Sequence, residues 1–192
     1  NDQSGSTTVN YGATSGLRGL NSYTGSTSAA AFGTNGSAIT NGIHTVLQVA
    51  QGSASAVSYN DLANLASALP SQYWTNPTTA WMMHPSVIAL LRDYVHGNTY
   101  GFAEVGGAEN GALLHVFGFP VIPNPYLDAW TTTGNISVYL ANWPRFLTIA
   151  DVEEMTVQAI EQAAPGFITL FAEKRLVSTV RDPFAGVRLI AI

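Results

Sequence analysis

Between Ser58 and Tyr94 the hydrophobic positions follow two rhythms in turn. Leu62, Leu65, Ala66 and Leu69 recur at helical spacing and lay one apolar stripe toward a core. Ser58 precedes the stripe as an N-cap, and Asp61, three residues on, makes a short-armed capping box with it. Pro70 ends the helix, because the residue before a proline is driven out of the α region. After the connector 71–78, Thr79-Ala80-Trp81-Met82-Met83 is short, apolar and without helical period, which predicts a buried strand. His84-Pro85-Ser86 turns the chain, and Val87, Leu90, Leu91 and Tyr94 supply a second apolar helical face. Helix, strand and helix in succession predict a sheet covered by helices. Leu62, Leu65, Leu69, Trp81, Met83, Leu90 and Leu91 are therefore expected in one core.

The front, residues 1–56, is Gly, Ser, Thr and Asn punctuated by small apolar clusters, and it predicts long surface loops with one or two short strands. Leu17-Arg18-Gly19-Leu20 and Ile43-His44-Thr45-Val46-Leu47 are its anchors. Residues 97–111 hold five glycines and no period, as a long loop or a hairpin does. Apolar runs at 112–116 and 119–122 are split by Gly118 and closed by Pro120, Pro123 and Pro125. Ile136-Ser137-Val138-Tyr139-Leu140 alternates as a strand, and Asn142-Trp143-Pro144 turns. Residues 145–149 and 155–160 read as two strands flanking an acidic turn, Asp151-Val152-Glu153-Glu154. Residues 167–180 form the longest strand candidate, with Ile168, Leu170, Ala172 and Leu176 on one face and Glu173, Lys174 and Arg175 at the centre. Asp182-Pro183 breaks it, and 187–192 supplies a last apolar strand. The fold class is α+β: two helices, then mostly strand.

Composition adds one constraint. Charged residues are 10% of the chain, against about a quarter in ordinary soluble domains, and Ser, Thr, Asn and Gly stand in their place. A surface so poor in charge suits one that faces other protein, or a secreted protein with a neutral surface. Net charge is −5 and the seven basic residues are scattered, so no cluster could neutralise a run of phosphates, which argues against direct nucleic-acid binding. No cysteine is present, which excludes disulfides and thiolate metal sites. No apolar run reaches the roughly 18 residues of a membrane helix. The chain opens on Asn1 without an initiator Met, as a processed product or a piece of a longer protein would.

Candidate chemistry is sparse. His44, His84, His96 and His115 show no metal-ligand spacing, and His84 before Pro85 suits a turn cap. Asp151, Glu153 and Glu154 could supply the two carboxylates of a glycosidase, but a solvated acidic turn is the commoner use. There is no nucleophile elbow, and Gly106-Gly107-Ala108-Glu109-Asn110-Gly111 lacks the Lys of a phosphate loop. Neither catalysis nor a cofactor is expected. Glu173, Lys174 and Arg175 in mid-strand are costly to bury unpaired, so they guard an exposed edge or meet charges of another chain.

Several stretches, in order, resemble the major capsid proteins of tailed bacteriophages, of the Hong Kong phage type. Ser58-Tyr59-Asn60-Asp61-Leu62 with Leu69-Pro70-Ser71-Gln72-Tyr73 is similar to the family's helix and exit. Trp81-Met82-Met83-His84-Pro85-Ser86, Leu90-Leu91-Arg92-Asp93 and Gly118-Phe119-Pro120-Val121 continue the likeness. It resumes over 138–151 and ends at 171–175 and Asp182-Pro183-Phe184-Ala185, while Gly16-Leu17-Arg18-Gly19-Leu20 resembles the loop entering the axial domain. The chain departs from the family at Ala141-Asn142, where Gly-Asp is frequent, and at Ser178-Thr179, where a Gly often follows the arginine. The resemblance implies an axial domain over 1–150, a mixed sheet flanked by helices, then peripheral-domain strands over 151–183 and a final strand, 184–192, returning to the axial domain. It implies that the arm, extended loop and spine helix that open such proteins are absent or cleaved here.

By the same resemblance the function is structural: copies of the chain associate as pentamers and hexamers into the icosahedral shell of a virion. Residues 100–111 become a loop near the symmetry axis, and Tyr100, Glu104, Glu109, Glu173, Lys174 and Arg175 become candidate intersubunit contacts. No membrane is involved. Two other readings stay open: an encapsulin-type compartment shell, and a secreted β-rich carbohydrate-binding or adhesive protein. By itself this chain is expected to be a monomer or weak oligomer, since one axial contact falls at or below the low end of the roughly 1,200–2,000 Å² of a stable interface.

Overall fold

The computed structural model describes residues 19–23, 25–26, 39–40, 43–54, 56–96, 103–105, 114–164 and 167–192. In chain order its strands and helices are β1 (Gly25–Ser26), β2 (Ile39–Thr40), β3 (Ile43–His44), β4 (Val46–Ala50), α1 (Tyr59–Ala68), β5 (Thr79–Met83), α2 (Pro85–His96), β6 (Ala103–Val105), β7 (Leu114–Val116), β8 (Phe119–Pro123), β9 (Ile136–Asn142), α3 (Trp143–Phe146), β10 (Leu147–Ala164), β11 (Phe167–Val180) and β12 (Gly186–Ile190). Among the described residues, eight strands form one sheet in the order β1-β4-β12-β9-β5-β8-β7-β6. The sheet is mixed: β4 runs parallel to β1 and β12, β5 parallel to β8, and the other pairs are antiparallel.

The capping box sets the start of α1. Ser58 Oγ accepts from the Asp61 N–H at 3.3 Å, and Asp61 Oδ2 accepts from the Ser58 N–H at 2.8 Å. Asp61 is buried, and its other oxygen accepts from the Gly52 N–H at 2.8 Å, so one carboxylate also ties the β4 exit to the helix. Leu69 is extended ahead of Pro70, as the proline requires. Leu62, Leu65, Leu69, Trp81, Met83 and Leu91 all lie in one core, each fully buried apolar side chain contributing about 1.5–3 kcal/mol. Leu90, expected there too, is half-buried at the edge of that core. Trp81 satisfies its indole N–H on Val116 O at 2.8 Å, which joins β5 to the β7–β8 hairpin. That hairpin turns on Phe117 (φ 51°) and Gly118 (φ 79°), two left-handed residues that match the twist of a tight hairpin. The Phe117 ring rests against Tyr59 of α1, centroids 5.2 Å apart.

Within the front, which carries the short strands β1–β4, β4 lies inside the sheet beside β12 and Val46 is fully buried. β9 is buried at all seven positions, being central and covered on both sides. Two expectations are corrected. Arg145 and Phe146 close the helical turn α3, favoured by Pro144 in its first turn, so the next strand starts at Leu147. Asp151-Val152-Glu153-Glu154 is not a turn between two strands. It lies inside the continuous β10, and register shifts between Asp151 and Glu153 and between Glu153 and Thr156 absorb the irregularity as bulges.

Among the described residues β10 and β11 pair with each other alone, as a separate antiparallel two-stranded sheet from Leu147↔Val180 out to Ala164↔Phe167. β9 feeds this hairpin through α3, and the short helical turn Pro183–Ala185 returns the chain into β12. At its root, Phe146 O accepts from the Arg181 N–H at 2.9 Å.

Candidate functional site

Two features stand out on the hairpin and at its root. A two-stranded ribbon is marginal in water by itself. Among its described side chains, Met155 is 64% exposed, Val157 56% and Leu170 70%. Val157 stands opposite Ala172, and Leu170 opposite Ala159, two positions further along the same face. Ile149 and Val177, nearer the root, are exposed as well. An exposed apolar face of this kind is what binding and association surfaces present.

The second feature is a cavity of about 250 Å³ at the root, lined by Arg145, Arg181 and Asp182. α3 presents Arg145, and the chain leaving β11 presents Arg181 and Asp182. Asp182 uses both oxygens inside the fold: Oδ2 accepts from the Tyr73 O–H at 2.7 Å and Oδ1 from the Phe184 N–H at 3.0 Å. Burial and then the neighbouring Asp182 push the Tyr73 phenol above its ordinary pKa, so it stays a proton donor. Fixed hydrogen bonds thus hold the Asp182 side of the lining, and Arg145 and Arg181 complete it.

On the far side of β12, Arg188 is buried. It donates to Tyr23 O at 2.7 Å and to Gln48 Oε1 at 3.2 Å, while its Nε is buried without a hydrogen-bond partner. Tyr139, in the neighbouring strand, has its hydroxyl 3.2 Å from Leu20 O and 3.0 Å from Asn21 Oδ1, and Asn21 donates to Asp128 at 2.7 Å. Burial pushes the Tyr139 pKa up to about 12, against a partly compensating pull from Arg188. These contacts fasten residues 19–23 to the sheet.

Of the residues singled out from the sequence, Tyr100 and Glu109 lie outside the described residues, as does the Gly106–Gly111 segment. Glu104 sits on β6 opposite His115 of β7. Glu173 and Arg175 sit on β11 opposite Thr156 and Glu153, with Lys174 between them. His84 does cap a turn: its Nδ1 accepts from the Ser86 N–H at 3.1 Å where α2 begins. His44, His96 and His115 belong to three other elements, and among the described residues no three His, Asp or Glu side chains converge. The Arg145–Arg181 cavity was missed, because 36 positions separate the two arginines in sequence and only the returning hairpin brings them together.

A profile described as the Phage capsid family matches residues 9–190. Among solved structures, the chain is similar to the capsid of a native GTA particle computed with C5 symmetry, at 17% identity and TM-score 0.67 over 93% of this chain and 57% of that one. The capsid of an empty GTA particle follows at 18% identity and TM-score 0.60, covering 80% and 53%. The holo-SrpI encapsulin complex from Synechococcus elongatus follows at 15% identity and TM-score 0.51, covering 79% and 54%. The chain thus spans about half the length of the shell proteins whose fold it shares. No curated protein matches its sequence.

Proposed function

Because the chain belongs to the phage capsid family, we propose that it is a structural protein whose copies associate as pentamers and hexamers into the icosahedral head shell of a virion. Its work is association and not catalysis. The observation that carries this reading is the β10–β11 hairpin, which leaves the sheet domain with an apolar face bare at Met155, Val157 and Leu170. Such a ribbon gains its cover from neighbouring copies. The low charge content fits the same use, since much of the surface would face protein. Tyr100, Glu104, Glu109, Glu173, Lys174 and Arg175 remain the proposed contacts between copies, the first three near the axis and the last three on the hairpin.

Electron microscopy of the full-length protein tests the proposal. Closed particles of uniform size are expected, and a protein that stays monomeric at micromolar concentration overturns it. The likeness to an encapsulin supports a compartment shell as the second reading. Particles that enclose protein cargo and no nucleic acid would favour that one.

A further inference from the structure

The hairpin and its root differ in charge. Residues 147–180 carry five carboxylates, Asp151, Glu153, Glu154, Glu161 and Glu173, against two cations, Lys174 and Arg175, a net of −3. The root cavity holds Arg145 and Arg181 against Asp182, a net of +1, in a chain with only seven basic residues. Asp182 accepts from the Tyr73 O–H and the Phe184 N–H, and its single charge leaves the lining of the cavity with one positive charge in excess. The outer part of the same hairpin lies far from this cavity, since β10 has 18 residues, a ribbon of about 60 Å at the rise of an extended strand.

We propose that the cavity between Arg145 and Arg181 receives a carboxylate from the β10–β11 hairpin of a second copy of this chain. Two arginine forks on one cavity suit a carboxylate, which offers paired oxygens to planar donors. Made once between each pair of copies, hairpin of one to root of the next, the contact is heterologous and propagates around a ring or along an open row; made reciprocally it closes a two-fold dimer. It rests on the shell reading and gives that reading a direction: the acidic ribbon is the donor element, and the socket lies where the ribbon joins its own sheet.

Sedimentation equilibrium of the 192-residue chain, at low and high salt, reads the contact directly. The unsubstituted chain is expected to self-associate weakly and to lose that association as salt rises. A socket variant, Arg145→Glu with Arg181→Glu, and a ribbon variant, Glu153→Lys with Glu154→Lys and Glu161→Lys, should each associate roughly tenfold more weakly. Mixing the two variants should restore association, because each supplies the charge the other now needs. Both arginines are exposed, and an unchanged circular dichroism melt shows that the socket variant folds. Arg181→Gln, which deletes a charge without adding one, should fall between. Association of either variant at the unsubstituted strength, failure of the mixture to recover, or no association of the unsubstituted chain overturns the proposal. Closed particles formed by full-length protein with both socket substitutions would also overturn it while leaving the shell reading intact.

Discussion

Gly186→Ala is the most demanding test of how the hairpin is seated. Gly186 is extended, at φ −149° and ψ 148°, so alanine meets no backbone strain there. The obstacle is the Phe146 ring. A Cβ on residue 186 would stand 2.5 Å from Phe146 Cδ2, 2.6 Å from Cε2 and 2.9 Å from Cγ, about 1 Å inside ordinary carbon contact. Phe146 has little room to yield. It is fully buried, its ring is edge-on to Trp143 at 5.9 Å between centroids, and Tyr139 lies 6.5 Å away. β12 cannot retreat either, being paired to β4 on one side and to β9 on the other. Overpacking typically costs about 1–3 kcal/mol, and two pinned walls place this case at about 2–3. For a chain of this size that lowers the melting temperature by about 4–12 °C. Urea unfolding should show a lower midpoint with an unchanged slope. Phe146→Leu alone should cost about 1–2 kcal/mol by leaving a void. The double variant should be no worse than Phe146→Leu, since the smaller side chain makes room for the new methyl group, a coupling of about 2 kcal/mol. A Gly186→Ala protein within 0.5 kcal/mol of the parent, roughly the range of a neutral surface change, would refute the account, as would costs that simply add.

Three further outcomes follow from contacts already described. Asp61→Ala should cost about 1–3 kcal/mol by urea unfolding, because it removes the N3 half of the capping box of α1 and takes the acceptor from the part-buried N–H bonds of Gly52 and Ser58; Asn60→Ala, one position earlier and exposed, should cost almost nothing. Tyr139 holds its proton to about pH 12 in the folded state, above the ordinary value near 10, so its contribution is complete below about pH 10 and falls away as pH rises toward 12. That loss approaches about 3 kcal/mol, and Tyr139→Phe should flatten the alkaline slope; a phenylalanine variant with the parent's slope would show that another group is titrating. Leu170→Lys, at an exposed position of the ribbon, should leave the melting temperature within about 2 °C. The same substitution should reduce particle yield from the full-length protein, and normal particles would remove Leu170 from the interface.

The parts of the fold written into local pattern were legible from the sequence. Ser58, Asp61 and Pro70 bound α1 by capping and by steric exclusion, both of which act within a few residues. Thr79–Met83 declared itself by being short, apolar and unperiodic. β4 was underestimated because its neighbour β12 is supplied from the far end of the chain, and no window around Val46 contains it. The acidic run at 151–154 looked like a turn because three charged residues in four usually are one; the bulges of β10 keep it in strand instead. For the interface, the charges at 173–175 could be placed on a strand from the sequence, whereas the socket of Arg145 and Arg181 could not. It exists only once a long excursion of the chain has returned to its starting point.

The way the ribbon is rooted has a mechanical consequence. β10 continues from β9 through α3, and β11 leads through one helical turn into β12, so the two ends of the ribbon enter adjacent strands of the sheet, with Ala141 opposite Gly186. A pull on the ribbon therefore enters the sheet through β9 and β12 together. What resists is the ladder of β9 with β5 and the ladder of β12 with β4. For a pull directed along these strands the hydrogen bonds lie across the load and are loaded side by side, not opened one after another from an end. Tension between neighbours would thus be borne in shear by the centre of the sheet, where β9 is buried at every position, and the two flanking strands would have to slip together before the ribbon could be drawn out.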